Sequence, residues 1–97
     1  MLIIETDDFK KDLDKLPKSI KRLYQKQKQI FETNWLDPRL HVKKLKEYHG
    51  VYSFRITRLY RVLFYFSGVN VIFLKINPLI TRIIYIPLIT LINNKSA

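Results

Sequence analysis

Between Val51 and Phe66 the chain alternates apolar and polar residues with a period of two, interrupted by Thr57-Arg58-Leu59. Tyr52, Phe54 and Ile56 alternate with Ser53, Arg55 and Thr57, and then Tyr60, Val62, Phe64 and Phe66 alternate with Arg61, Leu63 and Tyr65. Successive side chains of a strand point to opposite faces, so the even positions define a buried face and the odd ones an outer face. Both apolar faces meet the same neighbour only if even residues pair with even. That register calls for a connection of odd length such as Thr57-Arg58-Leu59. It puts Arg55 and Arg61 together on the outer face.

The partner layer lies upstream. Leu2 to Glu5 reads as a short strand, and Thr6-Asp7-Asp8 reads as a helix N-cap with acids in the first turn. Phe9, Leu13 and Leu16 share one helical face until Pro17 breaks the pattern. Residues 18–34 repeat apolar side chains at Ile20, Leu23, Tyr24, Ile30 and Phe31 with lysines between, which predicts an amphipathic helix. Asp37-Pro38 ends that segment, because the residue before proline is driven out of helical geometry. Strands are expected near Val42–Lys46, Val51–Thr57, Tyr60–Phe66 and Val69–Ile76, with turns at His49-Gly50 and Ser67-Gly68. The order implies an α+β fold, with two N-terminal helices packed on a mostly antiparallel sheet of about four to five strands. A length of 97 residues suits one domain, residues 1–97, in which residues 76–97 form an atypical tail.

Charge narrows the chemistry. The net charge is +10, and its distribution is uneven: residues 1–50 carry twelve Lys/Arg against eight Asp/Glu, whereas residues 51–97 carry six against none. A carboxylate-free half offers no Asp/Glu base and no oxygen-rich site for calcium or magnesium, so no metal or other cofactor is expected. It does offer fixed positive charge for an anion. Arg55 and Arg61, joined at the edges by Lys43, Lys44, Lys46 and Arg58, form a plausible seat for an RNA backbone, although such basic faces are commonly no more than solvated surface. His41 and His49 are the two histidines and are candidates for proton transfer. Tyr65 has outward parity, whereas Tyr52 and Tyr60 have the parity of core residues. The chain has no cysteine, which suits a reducing, cytoplasmic setting, and its acidic start is unlike a secretory leader. The apolar tail is broken by Pro78, Arg82 and Pro87, a poor fit to a membrane span.

The run from Arg39 to Ile56, followed by Tyr60-Arg61-Val62-Leu63-Phe64-Tyr65, resembles the RelE/ParE toxin superfamily through the spaced string LKxxxGxYxxRI…YRVxF, read here with this chain's spacing. Phe9 to Pro17 is similar to that family's helix opening, so the resemblance covers about residues 1–76. It implies the toxin of a type II toxin–antitoxin system, in the RelE-like case an mRNA interferase that cuts messages in the ribosomal A site without a metal. The implied partners are mRNA, the ribosome and an acidic antitoxin protein. By the same resemblance the catalytic residues are Arg55, Arg61, Arg82 and Tyr85, and Ser53 stands where some members carry lysine. The stretch from Ile76 to Tyr85 departs from the family's polar "IGHRxxIY"-like run. Two alternatives follow: a ParE-like inhibitor of DNA gyrase, and an impaired relative that only binds its antitoxin.

Overall fold

The computed structural model describes residues 1–78. Arg82 and Tyr85, with all of the tail beyond Pro78, lie outside the described residues. The elements run β1 (Ile3–Glu5), α1 (Asp7–Asp14), α2 (Lys18–Thr33), a 3-10 turn (Pro38–Leu40), β2 (Lys43–Lys44), β3 (Val51–Thr57), β4 (Tyr60–Ser67) and β5 (Asn70–Pro78). The five strands form one sheet in the order β1-β5-β4-β3-β2. All neighbours are antiparallel except β1, which lies parallel to β5 with Ile3 opposite Val71. The two helices cover one face, so the α+β layout expected from the sequence is the observed one.

The buried layer follows the even parity of β3 and β4. Phe31 of α2 meets Phe54, Phe64 and Phe73 with ring centroids 5.2, 5.0 and 5.3 Å away. Phe9 of α1 joins the same cluster through Tyr24 at 5.3 Å and Phe73 at 5.7 Å. Trp35, just past α2, extends it to Phe66 at 4.9 Å. Such tilted and edge-on pairs contribute about 0.5–1.5 kcal/mol each beyond area burial. Tyr52 and Tyr60 pack against this core, as their parity predicts.

Hydrogen bonds attach each helix to the sheet. Thr6 caps α1 by accepting from the Phe9 backbone N–H at 3.1 Å, and its hydroxyl donates to the Leu74 carbonyl at 2.8 Å. Past Phe73, β5 has outrun its neighbour β1. Asp12 fills part of that gap, accepting from the Ile76 backbone N–H at 3.0 Å and from Lys75 Nζ at 3.3 Å. On α2, the Tyr24 hydroxyl donates to the Glu5 carboxylate, which also accepts from Lys28 Nζ at 3.4 Å.

Two details differ from expectation. β2 spans two residues rather than Val42–Lys46, because after Lys44 the chain folds into a compact loop: the Val51 carbonyl accepts from the Leu45 N–H, the Val51 N–H donates to the Tyr48 carbonyl, and Gly50 takes φ +80°. The β3–β4 connection is a two-residue turn, Arg58-Leu59, not an odd one. Thr57 pairs with Tyr60 and Arg55 with Arg61, so Ile56 is an extra residue on β3. This bulge corrects the parity that an even turn would have inverted. The register and the shared face of Arg55 and Arg61 are therefore kept by a different device.

Burial pushes the Tyr24 phenol well above the ordinary tyrosine range, and the Glu5 carboxylate adds to the shift. A raised acid pKa favours the protonated group in the folded state, so this contribution is full below about pH 10, where an unfolded tyrosine titrates, and declines as pH rises above it. Tyr24→Phe is expected to flatten the alkaline fall in unfolding free energy, measured by urea denaturation across that range.

Candidate nucleic-acid interface

The outer face of the sheet is built from rows of residues directly opposite one another. One row runs Arg55, Arg61, Asn77 across β3, β4 and β5, and the adjacent row on β2, β3 and β4 runs Lys43, Ser53, Leu63. Opposite residues of an antiparallel pair share a face and stand roughly 5 Å apart. The two arginines are thus neighbours, as the alternation implies.

Their environments differ sharply. Arg61 is only 2% exposed, which corrects the expectation that it stands open on the outer face. Its Nε donates to Ser53 Oγ at 2.8 Å, and its Nη2 donates to the Ser53 carbonyl at 3.2 Å and to the His41 carbonyl. A guanidinium carries five N–H donors in a planar fork, and buried charge is tolerated where such donors find acceptors. The His41 carbonyl is presented by an unusual backbone: His41 adopts φ 47°, ψ 51°, the left-handed region, at the end of the 3-10 turn. Arg61 therefore ties the 3-10 turn and the start of β2 to the middle of the sheet.

Arg55 is half-buried and makes no ion pair among the described residues. Its Nε is buried without a hydrogen-bond partner. Behind it, Gln27 of α2 donates its amide to the Arg55 carbonyl at 2.8 Å and to the Arg39 carbonyl at 3.0 Å, anchoring the strand beside the Ile56 bulge. Arg55 is thus held at its backbone and still reachable at its side chain.

The edge cations divide. Lys43 lies opposite Ser53 and shares the arginines' face, whereas Lys44 lies opposite Tyr52 and belongs to the other. Lys46 follows β2 in the loop, and Arg58 is exposed in the β3–β4 turn next to the Arg55–Arg61 pair. His41 and His49 are exposed, and of the two only the His41 backbone enters the site. Tyr65 is on the outer face and 36% exposed, in line with its parity. Arg39, outside the row, is engaged by Asp37: its guanidinium and then its backbone N–H hold that carboxyl down at about 2. The contribution of this cap is present above the ordinary carboxylate range and is lost as pH falls through about 2.

Of two further participants, Ser53 was placed on the outer face by the alternation and in the site by the resemblance, whereas Asn77 escaped sequence reasoning. Ser53 is 2% exposed and acts as an acceptor for Arg61 rather than as a surface position. Asn77 is 3% exposed and completes the arginine row from β5. Its place depends on a second irregularity, between Leu63 and Phe64, where Leu63 pairs with Lys75 but Phe64 with Phe73, so that Leu74 is extra on β5. No local pattern announces such an offset.

Neither known family models nor curated proteins match this chain. Solved structures do. The chain is similar to the RelB–RelE antitoxin–toxin complex from Methanococcus jannaschii, with a TM-score of 0.65 and 25% identity over 75% of this chain and 86% of the other. It is similar to the RelE–RelB complex from Pyrococcus horikoshii, with a TM-score of 0.66 and 23% identity over 79% and 92% of the two chains. The YoeB/ParE toxin from Agrobacterium tumefaciens aligns with a TM-score of 0.60 and 20% identity over 78% and 95%. The chain has the α+β fold of antitoxin-controlled toxins. Within that class, its structural neighbours are those of the RelE/ParE superfamily.

Removing the Arg61 side chain leaves the Ser53 hydroxyl and two carbonyls without their donor. Arg61→Ala is expected to cost roughly 3 kcal/mol of stability, whereas Arg55→Ala costs about 1 kcal/mol or less, in chemical denaturation of the two variants.

Proposed function

We propose that this chain is the toxin of a type II toxin–antitoxin pair, acting in the cytoplasm as a metal-independent endoribonuclease on ribosome-bound mRNA. The observation that carries the reading is the cross-strand pair of Arg55 and Arg61 on a sheet face, with Arg55 accessible and making no ion pair among the described residues. The similarity to RelE toxins solved with their antitoxins supports it.

In this mechanism the ribose 2′-hydroxyl attacks the adjacent phosphorus, and the bond to the 5′-oxygen of the next nucleotide breaks. The products are a cyclic phosphate and a free 5′-hydroxyl. Negative charge grows on the phosphoryl oxygens during attack. Arg55 stabilises it directly, an effect of about 3 kcal/mol for one well-placed donor. Arg61, immobilised beside it, adds a fixed positive field at short range. Neither arginine accepts the 2′-hydroxyl proton, since guanidinium stays protonated. Proton transfer falls to Tyr85, His41, His49 or a nearby lysine, with the ribosome aligning the message. Lys43 and Arg58 flank the arginine row and engage neighbouring phosphates as point charge and fork respectively.

The partner is an acidic antitoxin segment. A net charge of +10 accelerates its association and makes binding weaken with salt, while apolar contacts limit that dependence.

Arg55→Ala is expected to slow cleavage of ribosome-bound mRNA by about 10²-fold or more. Equal rates for variant and wild type overturn the role. DNA supercoiling by gyrase, assayed with the same preparation, is expected to proceed normally. Its inhibition with the message intact moves the function to a ParE-like action.

A further inference from the structure

α2 presents two unlike sides. Tyr24, Ile30 and Phe31 are buried and Ile20 packs beside them, so one side is given to the core. At 3.6 residues per turn, Lys18, Arg22, Gln25, Lys26 and Gln29 share an arc of about 100° on the opposite side, and each of them is exposed. Lys18, Arg22 and Lys26 follow one another at the four-residue spacing, with about 6 Å of rise between neighbours. Like charges so placed repel and destabilise a helix, where an acid at the same spacing would have stabilised it. None is supplied. The one carboxylate of α2, Glu32, lies in the last turn beyond Gln29, and the three cations make no ion pair among the described residues. Lys21 and Lys28, to one side of the row, are instead paired with Asp14 at 3.8 Å and Glu5 at 3.4 Å. On α1 the exposed Lys10, Lys11 and Lys15 are interspersed with exposed Asp7, Asp8 and Asp14. The uncompensated row is therefore particular to α2.

We infer that the exposed face of α2 is a second RNA-binding surface, on the side of the sheet away from the arginine row, where Lys18, Arg22 and Lys26 seat the phosphate backbone of a double-helical RNA. The inference rests on the proposed action on ribosome-bound mRNA, and it gives the ribosome's own RNA a place to dock. Three features select this partner. First, a line of unneutralised cations about 12 Å long suits an extended anion better than a single small one. Second, Gln25 and Gln29 beside that line can donate to phosphates and exchange hydrogen bonds with ribose 2′-hydroxyls, which an RNA duplex displays across its shallow minor groove. Third, the arc holds no apolar side chain, and Leu23, 40% exposed, lies to one side of it. A protein segment that orders on binding needs apolar area to bury, whereas a phosphate backbone does not. A second copy of this chain, with its net charge of +10, would bring like charge to the same face.

The test compares two variants of the full-length chain that lose equal charge: Lys18→Gln/Arg22→Gln/Lys26→Gln on α2, and Lys10→Gln/Lys11→Gln/Lys15→Gln on α1. Glutamine keeps the helix propensity of the residues it replaces. Each protein is titrated against a fluorescein-labelled RNA duplex of about 16 base pairs, by anisotropy over a range of salt. The Tm and the cleavage of ribosome-bound mRNA are measured alongside. The α2 variant is expected to keep or raise the Tm, because the repelling row is gone. It binds the duplex about tenfold more weakly and lowers the salt slope by about 2–3, whereas the α1 variant changes both by less than half as much. In cleavage it needs about tenfold more ribosomes for half-maximal rate with kcat kept, the pattern of lost docking.

Equal weakening by the two variants overturns the inference, since net charge alone then accounts for binding. Unchanged duplex binding by the α2 variant also overturns it, and a wild type that still cuts ribosome-bound mRNA leaves the proposed function standing. Poly-L-glutamate that binds wild type as tightly as the duplex, with the same loss in the α2 variant, assigns the face to an acidic protein and overturns the RNA partner. Duplex binding that depends on the α2 row, in a chain that leaves the message intact, supports the surface and overturns the proposed function. No duplex binding and no cleavage by wild type overturn both.

Discussion

The structure is organised around a guanidinium placed inside a protein. Taking an isolated charge out of water costs many kilocalories per mole, and the cost is met only by dense hydrogen bonding. Arg61 obtains it from the Ser53 hydroxyl and carbonyl and from the His41 carbonyl. Several otherwise unrelated features serve that arrangement. The 3-10 turn ends with a left-handed residue, β2 abuts β3 opposite Ser53, and the bulge at Ile56 keeps residues 55 and 61 in one row. Packing on the helical face supplies the bulk of the stability, and this polar knot determines what the opposite face can present.

That division assigns different work to two side chains of the same type. Arg61 is fixed, so its charge is preorganised and needs no rearrangement when an anion approaches. Arg55 keeps a reachable head on a strand pinned from behind by Gln27. A rigid cation beside an adaptable one suits a ligand whose charge moves during a reaction better than two solvated arginines, which reorganise with the surrounding water.

Much of this is legible in the amino-acid sequence. Period-two alternation from Tyr52 to Phe66 identified the core face, Thr6 with its following acids marked the start of α1, and Pro17 marked the start of α2, which ends at Thr33, ahead of the Pro38 signal that opens the 3-10 turn. Those signals work because each depends on residues close in sequence. The burial of Arg61 was not legible, because its acceptors lie eight and twenty positions away and one of them is a backbone carbonyl exposed by local strain. Asn77 was missed for a related reason: a bulge at Leu74 decides which side it faces, and bulges have no dependable sequence signature where glycine is absent. The deduced turn length was mistaken although the deduced register was right, since the chain reached the same pairing by adding a residue within β3.

The parallel contact of β1 with β5 joins residues at opposite ends of the described chain, Ile3 with Val71 and Glu5 with Phe73. Thr6 and Asp12 repeat the tie to Leu74, Lys75 and Ile76. Contacts so distant in sequence are entropically late, because a long loop must close before they form. During synthesis, the first strand and first helix emerge long before their neighbour exists. The sheet can close around the arginine row only after residues near 70–78 are released. A nascent chain therefore carries an unfinished site until that stretch has been released, and the order of assembly itself delays the closing of the sheet.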